Sequence, residues 1–246
     1  MQDLTTWYEK VASPYDATMG YDTTVYNTTV YYNPDLNIIL NSIAKNCSSS
    51  MEVISPAFGF VEVSLYSDLI RSSGVKPKVI SVLRDPVERF RSAITMLIDQ
   101  HRRLGLELTP ENFVALDYAV DMHLLPQTLS VIRNKHVSIK RIPDNNRYTY
   151  KYQDFDKWSD FFELFGFGEE LEQEYQDFYY MYSGVDVITQ IFNDIGIELT
   201  DSVYTKQNAA DRPLEELSAE MTDFVKNFYA VDYELIELVE FKNKQD

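Results

Sequence analysis

Two short stretches of the chain each combine a cation with small hydroxyl residues directly after an apolar run. The first is residues 44–50 (AKNCSSS), which follow the run 37–43 (NIILNSI). The second is residues 84–92 (RDPVERFRS), which follow the run 78–83 (KVISVL). A turn from a strand into a helix exposes unpaired backbone N–H groups, and phosphate binds well there. Two such turns side by side would hold two phosphate groups, so the sequence favours a doubly phosphorylated nucleotide as ligand.

The first stretch offers one point charge and several hydroxyl donors. Lys45 supplies the charge, and the serines at 48–50 supply the donors. The Walker A pattern is not met, because no glycine flanks Lys45. The same residues are also typical of a polar turn in which a serine caps a helix. Their spacing alone favours this interpretation over a phosphate-binding loop.

The second stretch is more specific. Arg84 ends a predicted buried strand, which is where ligands gather in open α/β sheets. Ser92 lies eight positions later, about two turns into the predicted helix, so both side chains could contact one phosphate. Glu88 and Arg89 are interpreted as structural ion-pair residues. The alternative is an ordinary capped helix with a surface salt bridge.

Strands alternate with helices along the chain, which predicts an α/β fold: one domain, residues 1–246, with a parallel sheet flanked by helices. Residues 1–33, rich in Tyr and Thr, predict a hairpin, a cleft cover or an edge strand. The strands are predicted at 37–43, 78–83, 136–142 and 148–152. The helices are predicted at 61–70, 87–104, 112–122, 155–165, 169–181, 185–195 and, as one long helix, from Pro213 onward.

Composition excludes several classes of partner. The formal charge is −17, from 39 acidic and 22 basic side chains, so duplex nucleic acid and anionic membranes are poor partners. No apolar run approaches the ~20 residues of a membrane span. A single cysteine allows no internal disulfide. Without the features of a signal peptide at the N-terminus, a cytoplasmic location is expected.

The two stretches resemble the cofactor loops of sulfotransferases that use 3′-phosphoadenosine 5′-phosphosulfate (PAPS). Residues 44–50 are similar to the 5′-phosphosulfate loop, and residues 84–92 to the 3′-phosphate motif. Residues 121–127 (DMHLLPQ) and 228–235 (FYAVDYEL) resemble segments of the carbohydrate-type branch. Residues 150–155 (YKYQDF) fall where the family often has a strand ending in Glu-Asp-Leu. The resemblance thus covers about residue 37 to residue 235.

The chain also departs from the family pattern. Ala44 stands where many relatives have proline, Gln153 replaces the usual glutamate, and the distance from Lys45 to Arg84 is short for the branch. Animal enzymes of this branch sit in the Golgi behind a membrane anchor, so the resemblance is to a soluble member from a microbe or a virus. These departures bear on the acceptor and the branch more than on the cofactor.

The resemblance implies a P-loop-like sulfotransferase fold and transfer of a sulfuryl group from PAPS to a hydroxyl or amine, on a carbohydrate or a small metabolite. It makes Lys45 the residue that neutralises the leaving phosphate. It makes His123 the base, with Asp121 able to orient or replace it, although a lone histidine is otherwise a structural residue. No metal is needed. The residues implied to bind PAPS are Lys45, Asn46, Cys47, Ser48, Ser49, Ser50, Arg84 and Ser92.

Two other functions stay open. A kinase-like phosphotransferase on the same strand–loop–helix would use Mg²⁺ and ATP, but it would need a glycine-rich loop that this sequence lacks. A non-catalytic relative would keep nucleotide binding and contact a partner protein through its acidic, tyrosine-rich surface. The sequence does not identify the acceptor.

Overall fold

The structure is a computed structural model. It describes residues 23–24, 29–64, 74, 76–103, 105, 107–111, 122–131, 135–139, 162–166, 175–183, 185–199 and 213–243. The strands are β1 (Thr23–Thr24), β2 (Thr29–Asn33), β3 (Ile38–Asn41), β4 (Val61–Ser64), β5 (Lys78–Leu83), β6 (Lys135–Ile139), β7 (Phe162–Gly166) and β8 (Gln176–Tyr180). The helices are α1 (Ser48–Ile54), α2 (Pro86–Arg103), α3 (Gln127–Val131), α4 (Val187–Asp194), α5 (Ala219–Phe228) and α6 (Ala230–Leu238), with 3₁₀-helices at Ser55–Phe58 and Met122–Leu124.

The main sheet has five strands in the order β4-β2-β3-β5-β8. Strands β3, β5 and β8 are parallel, whereas β2 runs antiparallel to both β3 and β4. The α/β class is therefore confirmed, but the prediction of a parallel sheet is wrong for half of it. Strands β2 and β3 are joined by the short turn 34–37, and so short a link can join only antiparallel neighbours. A second sheet, β1-β6-β7, is antiparallel.

Helices cover both faces of the main sheet, and strand β5 supplies side chains to both faces, because successive residues of a strand point to opposite sides. Leu83 of β5 packs in one apolar cluster with α2, α5 and α6. Ile80 and Val82 pack in the other cluster, with α1 and α4. Among the described residues, no helix is long and apolar enough to cross a membrane.

The elements next to the candidate loops agree best with the sequence predictions. The strand at 78–83 is confirmed, and the helix predicted at 87–104 is observed at Pro86–Arg103. The strand predicted at 37–43 is confirmed over Ile38–Asn41. The helix predicted at 185–195 is observed at Val187–Asp194, where Asp186 caps it by accepting from the backbone N–H of Thr189.

Other predictions are wrong. Residues 61–64, 162–166 and 176–180 are strands where helices were predicted. The long C-terminal helix is two helices, α5 and α6, preceded by the non-helical residues 213–218. Within segment 1–33, strand β2 lies inside the main sheet and forms a hairpin with β3, whereas β1 is an edge strand of the second sheet. Three other parts of the predictions lie outside the described residues. They are residues 1–22 and 25–28, residues 112–121 of the helix predicted at 112–122, and residues 148–152.

Candidate functional site

The two candidate loops leave the sheet at the same edge and touch each other. Strands β3 and β5 are parallel neighbours, so residues 44–47 and 84–85 both follow carboxyl ends. Arg84 Nη1 donates to the carbonyl oxygen of Lys45 at 3.3 Å. Arg89 Nε donates to the carbonyl oxygen of Ala44 at 3.1 Å. The structure thus brings Lys45 and Arg84 into one site.

The first loop has an unusual backbone. Lys45 and Cys47 have φ angles of 67° and 64°, in the left-handed region that disfavours residues with a Cβ. The intervening residue, Asn46, is fully buried and fixes the turn. Its Nδ2 donates to Val82 O at 2.9 Å and to Gln127 Oε1 at 2.7 Å, and its backbone N–H donates to Ile43 O. Since these donors are engaged and the side chain is fully buried, Asn46 holds the loop in place.

The side chain of Lys45 lies along α2. Its Nζ is 3.5 Å from Met96 Sδ. Ser92 is four residues before Met96, and residues spaced i, i+4 are neighbours on one helix face. Lys45 and Ser92 are therefore associated with the same face of α2, and both are half-buried.

The serines of the first loop belong to α1. This helix begins at Ser48, follows Cys47, and has no side-chain cap. Ser48 and Ser49 are half-buried, whereas Ser50 is buried and faces the interior. The Sγ of Cys47 lies 3.6 Å from Met181 Sδ, which joins this loop to the end of β8. Of the three hydroxyls, those of Ser48 and Ser49 are the more accessible to a ligand.

Arg84 carries a partly desolvated charge. Burial is the main cause that lowers the pKa of its guanidinium, and Glu88 acts in the opposite direction. Glu88 Oε2 is 3.9 Å from Arg84 Nη2, at the limit of an ion pair, while Glu88 Oε1 accepts from Arg91 Nη1 at 2.7 Å. Arginine stays protonated in such surroundings. An anion at this edge of the sheet would therefore stabilise Arg84.

Tyrosine side chains lie next to the second loop, on the side of β5 away from the first loop. Tyr180 ends β8, the other neighbour of β5, and its ring centroid is 4.8 Å from that of Tyr182. Burial raises the pKa of Tyr180 to about 12, and the charge of Asp85 adds to this effect. Tyr233 donates to Asp85 Oδ2 at 3.4 Å. Sequence reasoning missed the position of Tyr180 because it took residues 169–181 for a helix.

A buried polar network lies beneath both loops. Gln127 Nε2 donates to Arg84 O at 2.8 Å, and Gln127 Oε1 accepts from Arg84 N at 3.1 Å. The same Oε1 accepts from Asn46. Asp232 accepts from the backbone N–H groups of Gln127 and Thr128 at 3.2 and 3.0 Å, and from Thr128 Oγ1 at 2.7 Å. Helix α3 is thereby capped by a carboxylate that lies more than a hundred residues away in the chain.

Two further bonds join the same region to residues 121–127 and 228–235. Arg89 is buried, and its Nη1 donates to Leu125 O at 2.6 Å while its Nε reaches Ala44 O. The hydroxyl of Tyr229 donates to Leu124 O at 2.6 Å. Arg89 is thus a structural residue that binds carbonyl oxygens, and of the two predicted ion-pair residues it is Glu88 that pairs, with Arg91.

Asp232 and Arg89 form the charged centre of this network. Asp232 is wholly buried, and burial raises the pKa of its carboxyl, while Arg89 and the Thr128 donors lower it. Four segments therefore meet at one place in the fold: residues 44–50, 84–92, 122–127 and 228–235. They are the segments that carry most of the resemblance in the sequence.

His123 lies in the 3₁₀-helix Met122–Leu124 and is half-buried. The two residues after it, Leu124 and Leu125, are those bonded to Tyr229 and Arg89. Since Arg89 also holds Ala44, the segment with His123 is fastened to the first loop. Asp121 and residues 150–155 lie outside the described residues.

Comparison with known proteins adds no relative to this description. No family model matches the chain, and no curated protein or solved structure shows significant similarity to it.

Proposed function

We propose that this chain is a sulfotransferase of P-loop-like fold that moves a sulfuryl group from PAPS to a hydroxyl or amine of an acceptor. The observation that carries the proposal is the contact between the two loops, in which Arg84 Nη1 reaches the backbone of Lys45 at 3.3 Å. Two cations at one sheet edge suit a ligand with anionic groups at two positions. The weak compensation of Arg84 by Glu88 supports the same conclusion.

The proposal assigns a role to each accessible group. Arg84 and Ser92 bind the 3′-phosphate, which distinguishes PAPS from ordinary adenylates. Lys45, with the hydroxyls of Ser48 and Ser49, binds the 5′ end. The half-buried rings of Tyr180 and Tyr182, at and just after the end of β8, offer a surface for the adenine.

PAPS, when bound, supplies a sulfuryl group attached to a phosphate that can leave. His123 takes the proton of the acceptor oxygen while that oxygen bonds to sulfur. Lys45 neutralises the charge that grows on the phosphate oxygen as its bond to sulfur breaks. The buried network binds the neighbours of both residues, Ala44 and Asn46 on one side and Leu124 and Leu125 on the other. It therefore supports their backbone without contacting the reacting atoms.

Titration calorimetry with 3′,5′-adenosine diphosphate tests the proposal, because this product carries both phosphates. We expect the wild-type protein to bind it and Arg84→Ala to weaken binding roughly 10- to 100-fold. Arg102→Ala is the matched control, since Arg102 lies at the far end of α2 and pairs with Asp99, Glu107 and Glu215. Lys45→Ala should slow transfer by about 10²–10³-fold while the fold survives.

Absence of heat with wild-type protein would overturn the cofactor assignment. A melting-temperature screen separates the kinase alternative, since that enzyme would be stabilised by ATP with Mg²⁺ and not by 3′,5′-adenosine diphosphate. Retained nucleotide binding without transfer from labelled PAPS to any extract would favour the non-catalytic alternative.

A further inference from the structure

We infer that Gln127 is a positioning residue that sets the spacing between the two phosphate-binding loops, so that both phosphates of one ligand bind at once. The inference rests on the proposed function. It goes further because it names a side chain that holds the two loops at a fixed distance without contacting the ligand.

The amide of Gln127 joins the two loops directly. Its Oε1 accepts from Asn46 Nδ2 at 2.7 Å in the first loop and from Arg84 N at 3.1 Å in the second. Its Nε2 donates to Arg84 O at 2.8 Å. Both backbone groups of Arg84 are thus fixed by one side chain just beyond the end of β5.

Gln127 is suited to this role because it keeps its bonds when a ligand arrives. It is fully buried and uncharged, and its backbone is anchored through Asp232. The guanidinium of Arg84, in contrast, must turn toward a phosphate, and its 3.3 Å bond to Lys45 O can then be lost. The Gln127 amide would still hold the two loops together.

Asn243 makes the same kind of contact at the neighbouring strand and provides a matched control. Its Oδ1 accepts from Tyr180 N at 2.8 Å and its Nδ2 donates to Tyr180 O at 2.9 Å. It therefore fixes the end of β8 as Gln127 fixes the residue after β5. It does not join the two loops.

Three ligands separate positioning from general structural damage: 3′,5′-adenosine diphosphate, 5′-AMP and 3′-AMP, titrated by calorimetry into folded protein. In Gln127→Met, which keeps the volume and removes the amide, we expect the affinity for the diphosphate to fall by about tenfold or more. The affinities for the two monophosphates should change by less than about twofold, because each of them needs one loop alone.

The control Asn243→Ala should leave the ratio of diphosphate to monophosphate affinity unchanged, even if it lowers the melting temperature as much. If Gln127→Met does not fold, Gln127→Glu replaces it, since it keeps Oε1 and loses the donor to Arg84 O. The same ratio should then fall, by a smaller factor. A ratio equal to the wild-type value in either folded variant overturns the inference.

Failure of the proposed function has a different signature. In that case the wild-type protein itself binds none of the three nucleotides. If the wild type binds the diphosphate preferentially and the Gln127 variants keep that preference, the proposed function stands and the positioning role falls.

Discussion

The charges of Asp85 and Arg84 act in opposite directions on the pKa of the Tyr180 hydroxyl. Burial is the main cause that raises its pKa, to about 12, and Asp85 adds to the effect. An unfolded tyrosine ionises near pH 10. Between about pH 10 and 12 the folded chain therefore keeps a proton that the unfolded chain loses, so the free energy of unfolding falls as the pH rises through this window.

We expect Tyr180→Phe to flatten this alkaline loss of stability, because phenylalanine has no proton to lose. Burial also raises the pKa of Tyr179 and Tyr233, so part of the slope should remain. Urea unfolding followed by far-UV circular dichroism at several pH values from 9 to 12 measures it. An equal slope in wild type and variant would show that Tyr180 ionises alike in both states.

The elements next to the site could be predicted from the sequence where the apolar pattern fits only a strand or only a helix. Three of the six residues 78–83 are β-branched and prolines flank the stretch, while α2 carries a stripe of buried apolar residues. The pattern of residues 176–180 (QDFYY) fits either a strand or a helix. Pairing with β5 decides in favour of a strand, because Phe178 and Tyr179 then fill opposite faces of the sheet.

The contacts that organise the site could not be predicted in the same way. Each candidate loop is local in sequence, so residue types and spacing were enough to find it. Gln127 and Arg84 are 43 residues apart, and Asp232 is 105 residues from the backbone N–H of Gln127 that it accepts from. No local pattern encodes such pairs. In the sequence, Gln127 and Asp232 stood out only as members of the two segments that resemble carbohydrate-type sulfotransferases.

The hydroxyl of Tyr229 holds the 3₁₀-helix with His123 to the C-terminal helices. Tyr229 donates to Leu124 O at 2.6 Å, and both groups are buried. Tyr229→Phe would leave that carbonyl oxygen unsatisfied, so we expect a loss of about 1–3 kcal/mol in the free energy of unfolding. Urea unfolding measures this loss. If His123 is the base, kcat should fall with little change in nucleotide affinity.

Tyr32→Phe is the control for this substitution. Its hydroxyl donates to Asn37 Oδ1 at 3.1 Å, in a partly buried position at the β2–β3 hairpin. Water can replace the lost partner more easily there, so the destabilisation should be smaller, at about 0.5–1.5 kcal/mol, and kcat should not change. Equal losses of stability and of kcat in both variants would contradict a specific role for the Tyr229 bond.

At the scale of the whole molecule, the two larger apolar clusters of the described residues share strand β5 of the main sheet. Strand β5 gives Leu83 to the cluster of α2, α5 and α6, and gives Ile80 and Val82 to that of α1 and α4. Neither cluster can lose its packing without exposing one face of that strand. The candidate loops extend from this strand and its neighbour β3, so their geometry depends on both faces.

This arrangement predicts that the two faces unfold together. Ile94 on α2 and Ile191 on α4 are both fully buried, one in each cluster, so Ile94→Val and Ile191→Val are matched truncations. Each should cost about 0.5–1.5 kcal/mol and lower the midpoint of one cooperative thermal transition by roughly 1–6 °C. The double variant should show the sum of the two losses, because the two sites lie in different clusters.

Far-UV and tyrosine near-UV circular dichroism should give the same midpoint. A second transition, or a midpoint shift seen by one probe alone, would mean that the faces unfold independently and that the loops are positioned by one of them.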